Sequence, residues 1–542
     1  MTVAASPTWQ ELCRHRKAVG RTTLRELFAD EPNRAARLTF DAAGIHADLS
    51  KSLTTEVALD ALLALARERG VERLRDAMFA GERVNTTEDR AALHVALRMP
   101  RGRSLLLDGR DVVRDVHEML DRMADLAGGI ADGSIRGATG RPFRTVVNVG
   151  IGGSELGPAM AVGALRRGTG VGLSARFVAN VDPAEAIEAI EGLDPAETFI
   201  VVCSKTFTTA ETMANARTLR AWIVAALGEA AVADHLVAVS ANTAEAERFG
   251  INAARVFEVW DWVGGRTSLA SASGLSAMLA LGPEAFRALL GGMHRMDEHF
   301  REAPPEHNLP LLTGLLAVWY RGCFGAQTRA VLPYDRHLAR FPAYLQQLAM
   351  ESNGKSVTAA GEPVGADTGP VIFGEPGTNG QHSFHQLLHQ GTALVPCDFI
   401  GFCRPLYPGT EAQQDVLLAN LLAQSAALAF GRTADEVRAA GGVAERLVPH
   451  RVLPGNRPST VLLLERLDPA ALGALVALYE HDVLTQAAVW GINPFDQWGV
   501  EHGKALAGPL AAALAAGAGS AAGSDPSTDA LLRHVRTART SG

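Results

Sequence analysis

Apolar residues recur at helical spacing in Thr55–Arg69 (T-E-V-A-L-D-A-L-L-A-L-A-R-E-R), and Gly70 is placed to stop the helix. Most of the chain up to Leu126 has this texture and predicts helix. The exception is Leu38-Thr39-Phe40-Asp41, which reads as a short strand. From Arg144 the pattern changes to brief apolar runs separated by helix-compatible stretches. Thr145–Val149, Ala175–Val181, Thr198–Cys203, Leu236–Ser240 and Val256–Trp260 are the predicted strands of this region. A second alternating region follows, with strands at Ala330–Pro333, Cys397–Phe402 and Ser459–Leu464. Its predicted helices are Tyr344–Met350, Asp415–Phe430 and Ala470–Trp490.

Strands alternating with helices predict an α/β fold with largely parallel sheets covered by helices on both faces. We divide the chain into a helical N-terminal part (1–126) packed on the larger domain, a smaller αβα sandwich (127–282), a larger αβα sandwich (283–510) and a C-terminal arm or flexible tail (511–542). The tail assignment rests on the alanine, glycine and serine between Leu510 and Asp525. No internal repeat is visible.

Composition narrows the classes. A chain of 542 residues is long enough for two or more cores. With 47% hydrophobic and 20% charged residues and a mean hydropathy of +0.07, it has the balance of a soluble globular protein. The net charge of −8 argues against a general nucleic-acid binder. Cys13, Cys203, Cys323, Cys397 and Cys403 are odd in number and lack C-x-x-C spacing, which predicts reduced thiols rather than a disulfide framework or a zinc site. The N-terminus has no apolar run long enough for a signal peptide, and no stretch approaches the ~20 residues of a membrane span. The expectation is a cytoplasmic protein without membrane partners.

Candidate chemistry concentrates between Met350 and Gly391. There M-E-S-N-G-K is followed by G-E-P-G-T-N-G-Q-H and S-F-H-Q-L-L-H-Q-G. Glu351 and His382 are a carboxylate and an imidazole of the kind that move protons. Two strand-end loops supply anion-binding candidates. Gly150-Ile-Gly-Gly-Ser154 lets the backbone approach an anion, although a plain tight turn explains it equally. A dinucleotide would need G-x-G-x-x-G, and Glu155 stands where the last glycine belongs. Ser204-Lys-Thr-Phe-Thr-Thr209 offers hydroxyls, an ammonium and helix-start N–H groups for one phosphate; the alternative is an ordinary Ser/Thr helix cap. Arg266, in G-G-R-T-S, is either a solvated surface residue or a guanidinium beside a developing oxyanion. His385 and His389 share a helix face at i, i+4 and with His382 raise a metal site, but no carboxylate or cysteine motif completes one.

Taken together and in order, these motifs resemble the glucose-6-phosphate isomerase (phosphoglucose isomerase) family. The resemblance runs from N-T-T-E-D-R-A-A-L-H-V-A-L-R (Asn85 to Arg98) to F-D-Q-W-G-V-E-H-G-K (Phe495 to Lys504). Between them lie V-G-I-G-G-S-E-L-G-P, S-K-T-F-T-T-A-E-T, W-D-W-V-G-G-R, P-Y-D-R-H-L-A-R-F-P-A-Y-L-Q-Q-L and G-N-R-P-S-T. The resemblance implies two αβα sandwiches of the sugar-isomerase type, the smaller binding the sugar phosphate. It implies reversible conversion of glucose 6-phosphate to fructose 6-phosphate, in glycolysis and gluconeogenesis, without metal or organic cofactor. It places Ser154, Ser204, Lys205, Thr206 and Thr209 on the substrate phosphate and Gly153 among the substrate-binding residues. Glu351 becomes the base, His382 the ring opener, Arg266 the cation beside the enediolate, and Gln497 and Lys504 the residues closing the site. It further implies a homodimer in which His382 reaches across the interface.

The chain departs from the family pattern at Thr267, at Ser271–Gly274 (S-A-S-G), Ala349, His385, Asp482 and His502. These concern the packing around Arg266 and the pocket's shape. The competing readings are a non-catalytic phosphosugar-binding regulator, an isomerase also acting on mannose 6-phosphate, and an NAD-dependent enzyme.

Overall fold

The computed structural model describes residues 2–18, 20, 22–169, 172–521 and 523–540. It divides into two compact units, Met1–Pro494 and Phe495–Gly542. In chain order the strands are β1 (Thr39–Ala42), β2 (Ile45–Asp48), β3 (Leu106–Leu107), β4 (Arg110–Asp111), β5 (Thr145–Val149), β6 (Ser174–Val178), β7 (Thr198–Cys203), β8 (Leu236–Val239), β9 (Val256–Phe257), β10 (Thr328–Pro333), β11 (Val371–Phe373), β12 (Cys397–Phe402) and β13 (Ser459–Leu464).

The smaller sheet is entirely parallel, in the order β6-β5-β7-β8-β9. Val147 stands opposite Ile200 and Val149 opposite Val202, and all four side chains are buried. Uninterrupted apolar strands of this kind are what a sheet covered on both faces requires. The larger sheet has the order β1-β2-β13-β12-β10-β11. Its β10 to β13 strands are parallel, and the β1–β2 hairpin adds antiparallel to β13. The expected α/β class with largely parallel sheets is borne out.

Local chemistry sets the helix ends. Helix Glu56–Arg69 starts where the Thr55 hydroxyl accepts from the Ala58 N–H and stops at Gly70, which takes φ +70°. Helix Pro469–Trp490 is buried nearly throughout, including Glu480, His481 and Asp482.

Several local expectations shift. The N-terminal part holds two hairpins as well as helices, and the first of them completes the larger sheet. The predicted strand Val256–Trp260 shortens to Val256–Phe257. The predicted helix Tyr344–Met350 is an α-helix over Phe341–Leu345 that widens to a π-helix over Gln346–Glu351. Within the second unit, helix Glu501–Ala515 is followed by helix Pro526–Thr540 where composition suggested a tail. Asp525 accepts from the Ser527 and Thr528 N–H groups and Pro526 opens the helix, a start signal the alanine-rich stretch obscured. No helix among the described residues is long and apolar enough to cross a membrane.

Candidate active site

The strand order of the smaller sheet fixes where a ligand would sit. With β5 between β6 and β7, the chain leaves β5 to one side for β6 and then crosses back to β7. The β5–β7 boundary is therefore the topological switch point, whose carboxyl edge opens a crevice. Gly150–Ser154 leaves the end of β5 and Ser204–Thr209 the end of β7. The first loop starts hard against the end of β7: a methyl group on Gly150 would meet the Cys203 carbonyl oxygen at 2.9 Å.

The first loop is built for close approach. Gly152 takes φ +62° and faces the Gln347 amide, 3.1 Å from where its Cβ would lie. Gly153 lies against the backbone of Gly265, whose carbonyl oxygen would be 1.8 Å from a Gly153 Cβ. Asn148 anchors the turn by donating from Nδ2 to the Ser154 carbonyl at 3.0 Å. Burial raises the pKa of the neighbouring Cys203 thiol, against the Ser154 and Ser273 hydroxyls. Glu155 is buried and paired with Arg340 at 2.5 Å.

In the second loop, Ser204 Oγ donates to Thr209 Oγ1 at 3.2 Å, and Thr208 Oγ1 to Thr206 Oγ1 at 2.8 Å. Phe207 holds the turn at φ +56°, a conformation unfavourable for an aromatic residue, and its buried ring packs edge-on against Phe249. Thr209 is the N-cap of helix Ala210–Leu227, yet its side chain makes no capping hydrogen bond. The helix start thus differs from an ordinary Ser/Thr cap. Lys205 Nζ donates to the Asp261 and Val263 carbonyls at 3.0 and 3.2 Å. Burial holds its ammonium below the usual lysine range; Arg90 adds to that push, and Asp261 and Glu88 oppose it.

Glu351 ends the π-helix, a local widening often found at functional sites. Arg266 Nη1 donates to Glu351 Oε1 at 2.5 Å, and Gln347 Nε2 to Oε2 at 3.2 Å. The guanidinium also donates to Ser352 Oγ and to the Pro494 carbonyl, both at 2.8 Å. Its side chain is 4% exposed and that of Glu351 26%, so the arginine is shielded while the carboxylate stays reachable. Thr267 donates to the Gly264 carbonyl and leaves these contacts intact. Lys355 ties the M-E-S-N-G-K turn to the Ser352 and Asn493 carbonyls.

The fold therefore brings Gly153, Ser154, Arg266 and Glu351 into one neighbourhood, with Ser204–Thr209 on the adjoining strand end. His382 follows the short helix Gly377–Gln381 and is exposed; its imidazole has no hydrogen-bond partner among the described residues. Gln497 and Lys504 belong to the second unit, where Lys504 Nζ pairs with Glu501 at 3.0 Å. His385 and His389 both turn to Gln424 Oε1, at 3.1 and 2.8 Å. Among the described residues no group of three or more His, Cys, Asp or Glu stands ready for a metal. Sequence reasoning missed Gln347 and Ser352. The first stands four residues before Glu351, a spacing that brings side chains together on a helix.

The phosphoglucose isomerase family model matches residues 48–532. The chain is 58% identical over 534 residues to a glucose-6-phosphate isomerase of Roseiflexus castenholzii, covering 98% of each. It is 53% identical over 542 residues to that of Mycolicibacterium smegmatis, covering 99% of this chain and 98% of the relative. The crystal structure of a glucose-6-phosphate isomerase from Chlamydia trachomatis superposes with a TM-score of 0.86 at 32% identity, over 99% of this chain and all of that one. Fold and likeness thus define a sugar-phosphate isomerase class. Within it, the chain belongs to the phosphoglucose isomerase family.

Proposed function

We propose that this protein catalyses the reversible isomerisation of glucose 6-phosphate to fructose 6-phosphate, in the cytoplasm. The observation that supports it most is the Glu351 carboxylate. It is oriented on one oxygen by Arg266 and on the other by Gln347, and remains accessible beside two strand-end loops suited to an anion. In this reading Ser154, Ser204, Lys205, Thr206 and Thr209 hold the phosphate, with Gly153 also binding substrate; the phosphate does not react but anchors the far end of the sugar so that the reacting end is presented to Glu351. We assign that role to the smaller sandwich (127–282), beside the larger one (283–510).

His382 protonates the ring oxygen while the anomeric hydroxyl loses its proton, with Lys504 assisting, and the ring opens to the aldehyde. Glu351 then takes the proton from C2. The electrons pass to the carbonyl oxygen, giving a cis-enediolate beside Arg266. Return of the proton to C1, with the C2 hydroxyl becoming the carbonyl, completes the ketose. One base serves both carbons because they are adjacent. Gln497 and Lys504 close the site, and the chain acts as a homodimer with His382 donated by the partner. No cofactor enters any step.

Glu351→Gln should abolish solvent exchange of the C2 hydrogen while leaving fructose 6-phosphate able to bind. Unchanged exchange would overturn the assignment. Binding of fructose 6-phosphate by the wild-type protein with neither exchange nor isomerisation would instead favour a phosphosugar-binding regulator.

A further inference from the structure

The five cysteines occupy different settings. Cys203 and Cys397 are buried in strands and Cys403 is exposed. Cys13, on helix Pro7–Ala18, and Cys323, the last residue of helix Leu309–Cys323, are both partly exposed, and their sulfurs lie 3.6 Å apart. The two helices meet closely here: a methyl group on Gly322 would come within 2.0 Å of the Trp9 ring. The Arg16 guanidinium lies 4.0 Å over the Phe324 ring and covers the same junction. A disulfide needs sulfurs at about 2.05 Å, so closing the pair takes a movement of about 1.6 Å, within reach of side-chain rotation between two packed helices. The residues are 310 positions apart, so the bond would tie the first helix to the body of the unit across most of its length.

We propose that Cys13 and Cys323 form a reversible redox site that closes to a disulfide when a peroxide oxidises it. Burial and the neighbouring Cys13 sulfur raise the pKa of the Cys323 thiol. The Cys13 thiolate attacks one peroxide oxygen; an S–O bond forms, the O–O bond breaks, and the departing hydroxide takes a proton to become water. The Cys323 sulfur then attacks the resulting sulfenic acid, forming the S–S bond and expelling the second hydroxide, which leaves as water with the Cys323 proton. Two thiols and one hydrogen peroxide thus give one disulfide and two waters, with the two electrons coming from the sulfurs. Neither cysteine belongs to the loops around Glu351, so the expected consequence is a sturdier N-terminal junction with unchanged turnover.

The test uses the wild-type protein. It is reduced, exposed to hydrogen peroxide at low molar excess, alkylated, and digested without reductant. We expect an intramolecular peptide joining Cys13 to Cys323, loss of two alkylatable thiols, recovery of both with dithiothreitol, and a higher unfolding temperature in the oxidised form. Cys13→Ser and Cys323→Ser should each remove that redox-dependent shift. Oxidation that stops at one sulfur, or that joins two chains through Cys403, would overturn the proposal, as would a linked peptide that forms without raising the unfolding temperature.

Discussion

Arg98 sits in a dense set of buried charges. Its guanidinium donates to both Asp297 oxygens at 2.6 and 2.7 Å and to Glu480 at 2.6 Å, and all three side chains are essentially inaccessible. His481 Nε2 adds a fourth member, 2.7 Å from Asp297. One cation cannot serve two acids equally. Asp297 is drawn down to about 2, because Arg98 and His481 outweigh its burial. Glu480 is pushed up to about 7, because burial, with the Asp297 charge adding to it, outweighs Arg98; its second oxygen has no hydrogen-bond partner. The signs are opposite. Asp297 stabilises the fold above the ordinary carboxylate pKa, and that contribution is lost only as pH falls towards 2. Glu480 keeps a proton that the unfolded chain has released, so its contribution is lost as pH rises from about 4.5 through about 7. At about 1.4 kcal/mol per pH unit, the Glu480 window spans up to ~3 kcal/mol. Between pH 5 and 8, Glu480→Gln should therefore gain stability relative to wild type. Thermal unfolding of both at pH 5, 6.5 and 8 checks this, and parallel profiles would refute it. Neither the pairing nor the shift was legible in the sequence. Arg98 ends a recognisable motif, but its acids come from positions 297 and 480 and meet only through tertiary packing. Glu351 and Arg266 were legible because each stands in an unusual local run. Gln347 was not, since nothing in Q-Q-L-A-M-E separates it from a surface glutamine.

At the scale of elements, the parallel strands were readable because burial on both faces makes them continuous apolar runs between helices. Short strands were not. Ile45–Asp48 offers two apolar positions, Val371–Phe373 is three residues long, and both are defined by pairing with distant strands. The π-helix also escaped, because its widened turn leaves the apolar pattern close to that of an α-helix. The two strand-end loops were visible as glycine- and hydroxyl-rich runs, but their convergence follows from strand order, which the sequence does not state. That convergence makes a sharp demand at Gly153. A β-carbon there would overlap the Gly265 carbonyl, which is backbone and cannot rotate away. Gly153→Ala should part the two turns, cost about 1–3 kcal/mol as overpacking does, and raise the KM for fructose 6-phosphate at least ~10-fold through Ser154. Gly265→Ala, whose methyl meets nothing within 4 Å, should change stability by no more than ~0.5 kcal/mol. Thermal unfolding with steady-state kinetics distinguishes the two. Equal destabilisation by both variants would show that the close approach is not what matters.

At the scale of the whole molecule, the question is which chain supplies the imidazole. Glu351 is enclosed by partners from its own unit, whereas His382 stands exposed with no hydrogen-bond partner among the described residues. An exposed proton donor is poorly oriented for ring opening unless another surface covers it. The proposed twofold dimer, presenting each His382 to the other chain's Glu351, would supply that cover by symmetry. The arrangement makes a prediction that a site within one chain cannot imitate. Glu351→Gln and His382→Ala should each be nearly inactive as homodimers. Co-expressed with different tags and purified through both, the mixed dimer has one site with both defects and one with neither. The intact site combines Glu351 of the His382→Ala chain with His382 of the Glu351→Gln chain. Its activity should be about half that of the wild-type dimer, with an unaltered KM. If Glu351 and His382 act within one chain, each site of the mixed dimer carries a single defect and no activity returns. A fully active monomer in sedimentation would exclude the shared site by a separate route.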